Sequence, residues 1–469
     1  MERFDIERAI KLAGLDLPSG VDYHIVGQDP ILPSPHYLGN GGAVVRLLTG
    51  LAANELWRLR TARSQEVVVD ARHVAASLRS YRLTHVVGEE PPTVGATNQM
   101  RLTTAVTRIT GARDGRYVQL HGSFHDGPQI LEELGLDADA TPDDIDAAVA
   151  DRDAFDLEAA FIRRKVCGGV VRSKAEWAQH PQGRAIADLP VVTVTRIGDA
   201  PPEPLPEGDR PTAGVRVIDL TRVLAGPTVA KTLAEHGADV LHITARHLEG
   251  GDLFGLDTGI GKRQAQLDLN APEQAEIMRD LIVGADVFSQ GYRLGTLARR
   301  GFAPEQLAVL RPGIIYVSEN CYGHVGPWSE RPGWEQLGQA ATGMTFREGV
   351  SAPDGVPRLA PVAVNDYSTG FFGAYGAMVA LARRATEGGS WHVQVSLSQS
   401  CMWYQRLGDD NDMDAADDGD VESFLAEMET DDYGRIRYLT PALHLSETPP
   451  CWDLPPARPG AHEATWLPR

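Results

Sequence analysis

Cysteine is scarce in this chain of 469 residues: Cys167, Cys321, Cys401 and Cys451 stand far apart and form no CxxC pair. That spacing excludes a zinc ribbon and a disulfide framework, so no metal is expected and the protein reads as reduced and cytoplasmic. Long apolar runs are missing too. No stretch of about 18 apolar residues occurs, and the N-terminal MERFDIERAIKLAGLD alternates charge with short apolar steps, unlike a signal peptide. Membrane spanning and secretion are therefore not expected. Positive charge is in deficit, with 44 Lys and Arg against 64 Asp and Glu and a net charge of -20. Such a surface repels phosphate, which excludes nucleic acid and anionic membranes as partners. Twelve of the acids lie between positions 409 and 432 with no Lys or Arg among them, so the rest of the chain carries only about -8. The acidic run DDNDMDAADDGD lacks calcium-loop spacing, because from Asp410 the required glycine falls on Ala415. It reads as a solvated tether. What is present is ample apolar material, 42% of residues, in a chain too long for one ordinary core.

The clearest boundary is DAPPEPLPEGDRP, residues 199–211, whose five prolines and acids predict a stiff linker. Beyond it, short β-branched runs alternate with helical stretches: VRVIDL, PTVAKTLAEHGA, DVLHIT, PEQAEIMRDLIVG, DVFSQ, GIIYVSE. This rhythm predicts an α/β fold, an open, mostly parallel Rossmann-like sheet with helices on both faces and its ligand crevice at the carboxyl ends of the strands. A Gly- and Ala-rich helix is expected from about Tyr367 to Arg384, followed by the strand WHVQVSL. Before the linker, YVQLHGSF, TPDDIDAAVADRDAFDLEAAFIRRK and LPVVTVTRIG predict strands and amphipathic helices of a smaller α+β domain. The expected divisions are 1–90, 91–198, 199–211, 212–405 and 406–469. At a constant offset of 326 residues, Gly50 matches Gly376, Arg58 matches Arg384, Ser64 matches Ser390, Val67 matches Val393 and Val69 matches Val395. Periodicity alone leaves a true repeat and two unrelated helix–turn–strand units equally open.

The first strand–helix turn, DLTRVLAGPTVA, lacks the GxGxxG spacing of a dinucleotide site. Cations follow other strands: Arg246, Lys262 with Arg263, and Arg293 with Arg299. Their convergence on one crevice would suit a polyphosphate such as a nucleotide or coenzyme A, whereas the ordinary fate of a surface Arg is solvation. Asp366, in VAVNDYSTGFFG, directly precedes a long helix. It reads locally as an N-cap, and a nucleophilic carboxylate at a helix N-terminus is the sharper alternative. The glycines of SENCYGHVGPW give a close-approach loop.

In order, VRVIDLTRVLAGP, HGADVLHI, GKRQAQLDLN, ADVFSQGYRLGTLARRGF, RPGIIYVSENCYGHVGPW, RPGWEQLGQAATG, VNDYSTGFFGAYGAMVALARR and WHVQVSLSQS resemble the family III coenzyme A transferases, the carnitine and formyl-coenzyme A transferase type. The likeness runs from about 213 to 405. The segment before the linker resembles that family's small domain, in an unusual order that implies a permuted or fused arrangement. Residues 1–90 would then echo the region of Asp366, with Asn40 opposite it. The resemblance implies that Asp366 attacks an acyl thioester, giving a mixed anhydride and then an aspartyl-coenzyme A thioester, and that an acceptor carboxylate completes the exchange. It implies coenzyme contacts at Leu224, Ala225, Lys262, Tyr292, Arg299, Asn320 and Tyr322, with Lys262 and Arg299 facing phosphates. The substrates would be an acyl-coenzyme A and a small carboxylic acid, with no tightly bound cofactor and a homodimeric assembly. The loop from Gly323 to Gly326 is one expected source of oxyanion donors. Two departures stand out: Ala245 replaces a frequent Arg, leaving Arg246 as a substitute, and Gly291 replaces a frequent Asn. A related racemase would need a His in RPGWEQLGQ, where this chain has Trp334, so transfer is preferred. A racemase using His324 and a non-catalytic acyl-coenzyme A binding subunit remain the alternatives.

Overall fold

A computed structural model describes residues 4–16, 20–89, 103–123, 126–248, 252–417 and 419–468. The expected boundary near residue 90 lies outside them. The central sheet has seven strands. Six are parallel and run across the sheet as Lys262–Gln266, Asp239–Thr244, Arg216–Leu220, Val287–Gln290, Ile315–Asn320 and Ser390–Ser396. In chain order that is 3-2-1-4-5-6, the doubly wound arrangement whose ligand crevice opens where the order reverses, between Arg216–Leu220 and Val287–Gln290.

Alternation along each strand explains the two helical layers. Val217, Val240, Val287, Ile315 and Val317 face one core, shared with the helices Ala225–Ala234 and Val364–Glu387. Ile218, Leu241, Phe288 and Tyr316 face the other, where the helices Pro272–Val283 and Pro304–Leu310 bury Met278, Ile282 and Leu307. Successive residues in a strand point to opposite faces, so a run of β-branched and aromatic residues is buried on both sides.

Two elements depart from the sequence reading. The strand Thr193–Gly198 was expected in the smaller domain, but it pairs antiparallel with Ser390–Ser396 and forms the seventh strand of the central sheet. Lys262–Gln266, with no apolar run at all, is an edge strand whose cations are neutralised in place: Lys262 by Asp219 at 2.8 Å and Arg263 by Asp239 at 2.9 Å. The smaller domain keeps a three-stranded antiparallel sheet, Arg108–Gly111, Tyr117–Leu120 and Gly168–Val170.

The offset of 326 residues holds in the backbone. The helix Leu38–Thr61 and the helix Val364–Glu387 begin and end at matching positions, and both lead into a strand and a further helix, Val67–Asp70 with Ala71–Ser77 and Ser390–Ser396 with Leu397–Leu407. Tyr23–Val26 lies parallel to Val67–Asp70 and His444–Leu445 lies antiparallel on its other side. This reproduces the set Ile315–Asn320, Ser390–Ser396 and Thr193–Gly198 in order and direction. The second sheet therefore copies one edge of the first. Residues 4–89 are not a separate body. The two long helices share one core, Arg46 and Glu235 form a buried pair at 2.6 Å, and the Trp403 indole donates to the Ala9 carbonyl.

The acidic segment is more than a tether. Asp409 pairs with Arg347 and Asp417 with Arg72, and Leu425–Thr430 forms a hairpin with Gly434–Leu439 that continues onto His85–Val86.

Candidate active site

The crevice at the reversal of strand order holds a cavity of about 520 Å³. The turn after Arg216–Leu220 supplies Arg222, Val223, Leu224 and Ala225, and the turn after Val287–Gln290 supplies Gly291, Tyr292 and Arg293. The end of Ile315–Asn320 supplies Glu319, Asn320 and Cys321, and the segment 329–334 closes the top. The smaller domain adds Asp126, Lys165 and Cys167 from the far side. Val223 has φ of 71°, in the left-handed region that a β-branched residue rarely enters, and it sits where the chain turns into the helix Ala225–Ala234. That helix has no side-chain cap. Its first N–H groups are left for whatever occupies the cavity.

Asp366 lies at the floor, 9% exposed. The N-cap reading fails in detail: Ala363 is the cap residue, and Asp366 lies inside the first turn of Val364–Glu387. The first-turn donors are met instead by Glu335, whose carboxyl accepts from the backbone N–H groups of Asn365 and Asp366 and from the Gln339 amide. These bonds favour charge on Glu335, but burial outweighs them and pushes its pKa up to about 7, while among the described residues none hydrogen-bonds the Asp366 carboxyl. Burial, together with the nearby carboxyls of Glu335 and Glu319, pushes the Asp366 pKa well above the usual carboxylate range. Desolvation alone pushes Glu319 up to about 7. Three carboxyls thus share a desolvated floor that cannot hold three charges.

A second cavity of about 250 Å³ opens beside the first at the ends of Asp239–Thr244 and Lys262–Gln266. Arg222 and Val223 line both, so the two are neighbours along one crevice. Arg246 lines the smaller cavity with Ala245, His242 and Gln266.

Of the residues expected at the site, Leu224, Ala225, Tyr292, Asn320 and Asp366 are brought together in the larger cavity. Lys262 reaches only the smaller one, with its ammonium buried between Asp219 and the Pro227 carbonyl at 2.8 and 2.7 Å, so its charge is already spent. Arg299 is exposed on a short 3₁₀ turn and lines neither cavity. Tyr322 is buried behind the wall, edge-on to Trp328 and under the Arg331 guanidinium. The loop from Gly323 to Gly326 does not line the cavity either. The Gly323 N–H is taken by Asn320 at 2.8 Å, and Gln182 holds the loop through the carbonyls of Tyr322 and Val325. Among the described residues no histidine lines the larger cavity. His324 is half-buried, 3.1 Å from the Val395 carbonyl, and Trp334 stacks on His121.

Sequence reasoning missed Glu335, Glu319 and Arg331. Arg331 joins the two lobes: it donates to the Gly168 carbonyl at 2.7 Å and reaches Glu158, which Arg172 also holds. Burial would raise the Glu158 carboxyl, but Arg172 and Arg331 outweigh it and keep it low. The N-terminal copy reaches the helix start as well, because Ser80 and the Tyr81 N–H both donate to the Tyr367 hydroxyl, next to Asp366.

The family model described as CoA-transferase family III matches residues 212–408. An "Acyl-CoA transferase" of Gibberella moniliformis is 33% identical over 417 residues, covering 81% of this chain and 73% of that protein. An "Acetyl-coenzyme A transferase nodX" of Hypoxylon pulicicidum is 33% identical over 64% of this chain and 54% of its own length. The "Succinyl-CoA--L-malate CoA-transferase beta subunit" of Chloroflexus aurantiacus is 34% identical over 40% of this chain and half of its own length. A CAIB/BAIF family protein from Brucella suis aligns over 41% of this chain and 55% of its own, at 30% identity and a TM-score of 0.38.

Proposed function

Because this chain belongs to CoA-transferase family III, we propose that it moves coenzyme A from an acyl-coenzyme A to a carboxylic acid, with Asp366 as the nucleophile. The observation that carries this reading is the Asp366 carboxyl, without a hydrogen-bond partner among the described residues, on the floor of a cavity that continues past Arg222 into a second pocket at the strand ends. The phosphates and nucleotide of coenzyme A would occupy the smaller pocket near Arg222 and Arg246. The pantetheine arm would pass Val223 and Leu224 and deliver the thioester to Asp366.

The Asp366 carboxylate adds to the thioester carbonyl and the C–S bond breaks, giving a mixed anhydride and coenzyme A thiolate. The thiolate adds to the aspartyl carbonyl and the donor carboxylate leaves. The acceptor carboxylate then adds to the aspartyl thioester, expelling the thiolate, which takes the new acyl group and frees Asp366. Each step exchanges one anion for another, so no net proton transfer is required. One negative charge must remain mobile in a site with two further carboxyls, which is served when Glu319 and Glu335 share protons. The uncapped N–H groups at Ala225 and Gly226 are the donors best placed for the passing oxyanions. Coenzyme A is a substrate here, no resident cofactor is invoked, and a homodimer is the expected assembly, checked by light scattering.

The test is to incubate the protein with a panel of acyl-coenzyme A thioesters, quench with hydroxylamine and map the adduct by mass spectrometry. A hydroxamate on Asp366 is expected, together with loss of turnover but not of coenzyme A binding in Asp366→Asn. Binding without any adduct would support the non-catalytic reading instead.

A further inference from the structure

In the transfer chemistry Glu319 does no more than share a proton with the other carboxyls of the floor. It is the penultimate residue of the strand Ile315–Asn320, and among the described residues nothing hydrogen-bonds its side chain. It also has a made-to-measure seat. A β-carbon on Gly291 would lie 2.7 Å from Glu319 Oε2, so the carboxyl rests directly over the glycine backbone in the turn after Val287–Gln290. A larger residue at 291 would drive it out. Glu319 and Asp366 line the same cavity, so an acyl chain bonded to Asp366 shares that space with the Glu319 carboxyl. Desolvation raises Glu319 to about 7, so near neutral pH a large share of it is the protonated acid.

Glu319 is half-buried and turned to the cavity, so its carboxyl is open to a hydrogen bond from whatever occupies that space. Resting on the transfer reading above, we propose that Glu319 is a specificity-determining residue whose neutral O–H donates to an oxygen on the acyl chain. The site would thereby select acids and thioesters carrying a hydroxyl, keto or second carboxyl group over plain alkyl ones. Sites built to hydrogen-bond a substrate oxygen reject the analogue that lacks it far more strongly than apolar pockets reject a methylene.

The test compares kcat/KM for short oxygenated acyl-coenzyme A thioesters, such as hydroxyacyl and dicarboxylic ones, with alkyl thioesters of equal length, in wild type, Glu319→Leu and Glu319→Gln. Wild type should favour the oxygenated series by about 100-fold or more. Glu319→Leu should cut that preference at least tenfold, largely by sparing the alkyl substrates. Glu319→Gln, which keeps a donor, should retain most of it, and this holds the test open if the leucine variant does not fold. An unchanged preference in Glu319→Leu, or its loss in Glu319→Gln, would overturn the assignment. The same assays read the Asp366 adduct. Its absence with every thioester in wild type would sink the transfer reading itself, whereas adducts with unaltered selectivity would sink only the role of Glu319.

Discussion

The chain contains one helix–strand–helix unit twice, and the two copies differ in what chemistry they can perform. In both, a 24-residue helix begins without a side-chain cap. In both, a buried acid from another segment accepts the first-turn N–H groups: Glu335 takes those of Asn365 and Asp366, and Asp29 takes those of Gly39 and Asn40. Asn40 therefore stands in the backbone setting of Asp366. It lines a cavity of about 850 Å³ with Asp29, Tyr37 and Asp410, but that cavity sits beside a three-stranded sheet and lacks the strand ends that carry Arg222, Tyr292 and Asn320. A helix start braced by a carboxyl is thus a scaffold. It becomes a transfer site when a free carboxyl and a long crevice are added.

The sharpest way to break the comparison is to make the copies alike. Asp366→Asn should lower turnover by roughly 10⁴-fold or more, since an amide cannot form the anhydride. The converse, Asn40→Asp, should create no second adduct with acyl-coenzyme A. A hydroxamate at residue 40 in peptide mapping would mean that the first copy retains a working crevice.

Arg58 and Arg384 are matched in sequence and opposite in setting. Arg384 is fully buried and pairs with the equally buried Asp286 at 2.9 Å, whereas Arg58 makes an exposed pair with Glu55 within its own helix. Asp286 also pairs with Arg311 at 3.3 Å and accepts the Arg216 N–H at 2.9 Å, so removing Arg384 weakens a buried network rather than stranding its carboxylate, and Arg384→Met should cost about 3 kcal/mol, the low end for a broken buried pair. Arg58→Ala should cost about 0.5 kcal/mol or less. Urea unfolding of both variants checks the contrast, and equal losses would refute it.

The bracing acid of the first copy carries a pH signature. Burial raises Asp29 to about 6 against its three backbone donors. Its folded pKa lies above the unfolded value, so its contribution is full below about pH 4 and is lost as pH rises through about 6. Wild type should therefore lose up to about 3 kcal/mol relative to Asp29→Asn between those limits. Parallel stability curves for the two proteins would show that the Asp29 carboxyl is not desolvated as the structure has it.

Much of this frame was legible in the sequence. The strands DVLHIT and DVFSQ declare themselves by β-branched and aromatic runs, whereas Asp366 stood out through the family resemblance, its local reading being an N-cap that the structure gives to Ala363. KRQAQ did not read as a strand, because its burial rests on ion pairs with Asp219 and Asp239 rather than on apolar residues. The strand Thr193–Gly198 was assigned to its neighbour in sequence, since pairing with Ser390–Ser396 is a long-range fact. Glu335 was missed for a related reason. It braces a helix some 30 residues away, and no local pattern reports that. Glu319 was hidden inside a strand, with its partner surface, Gly291, visible only as a departure from the family pattern.

The smallest contrast concerns packing that the copies share. A β-carbon on Gly50 would meet the Val67 side chain at 2.6 Å, and one on Gly376 would meet that of Val393 at 2.5 Å, so each helix lies on its own strand through the same glycine–valine contact. Alanine gains about 1 kcal/mol of helix propensity at either site but must displace the valine, at about 1–3 kcal/mol. Gly50→Ala and Gly376→Ala should therefore each destabilise by up to about 2 kcal/mol in urea titrations. Gly376→Ala should also slow transfer, because its helix carries Asp366, whereas Gly50→Ala should leave turnover unchanged. If Gly50→Ala slowed transfer equally, the first copy would be setting the position of Asp366 through the packed pair of helices, and the two units would be mechanically one.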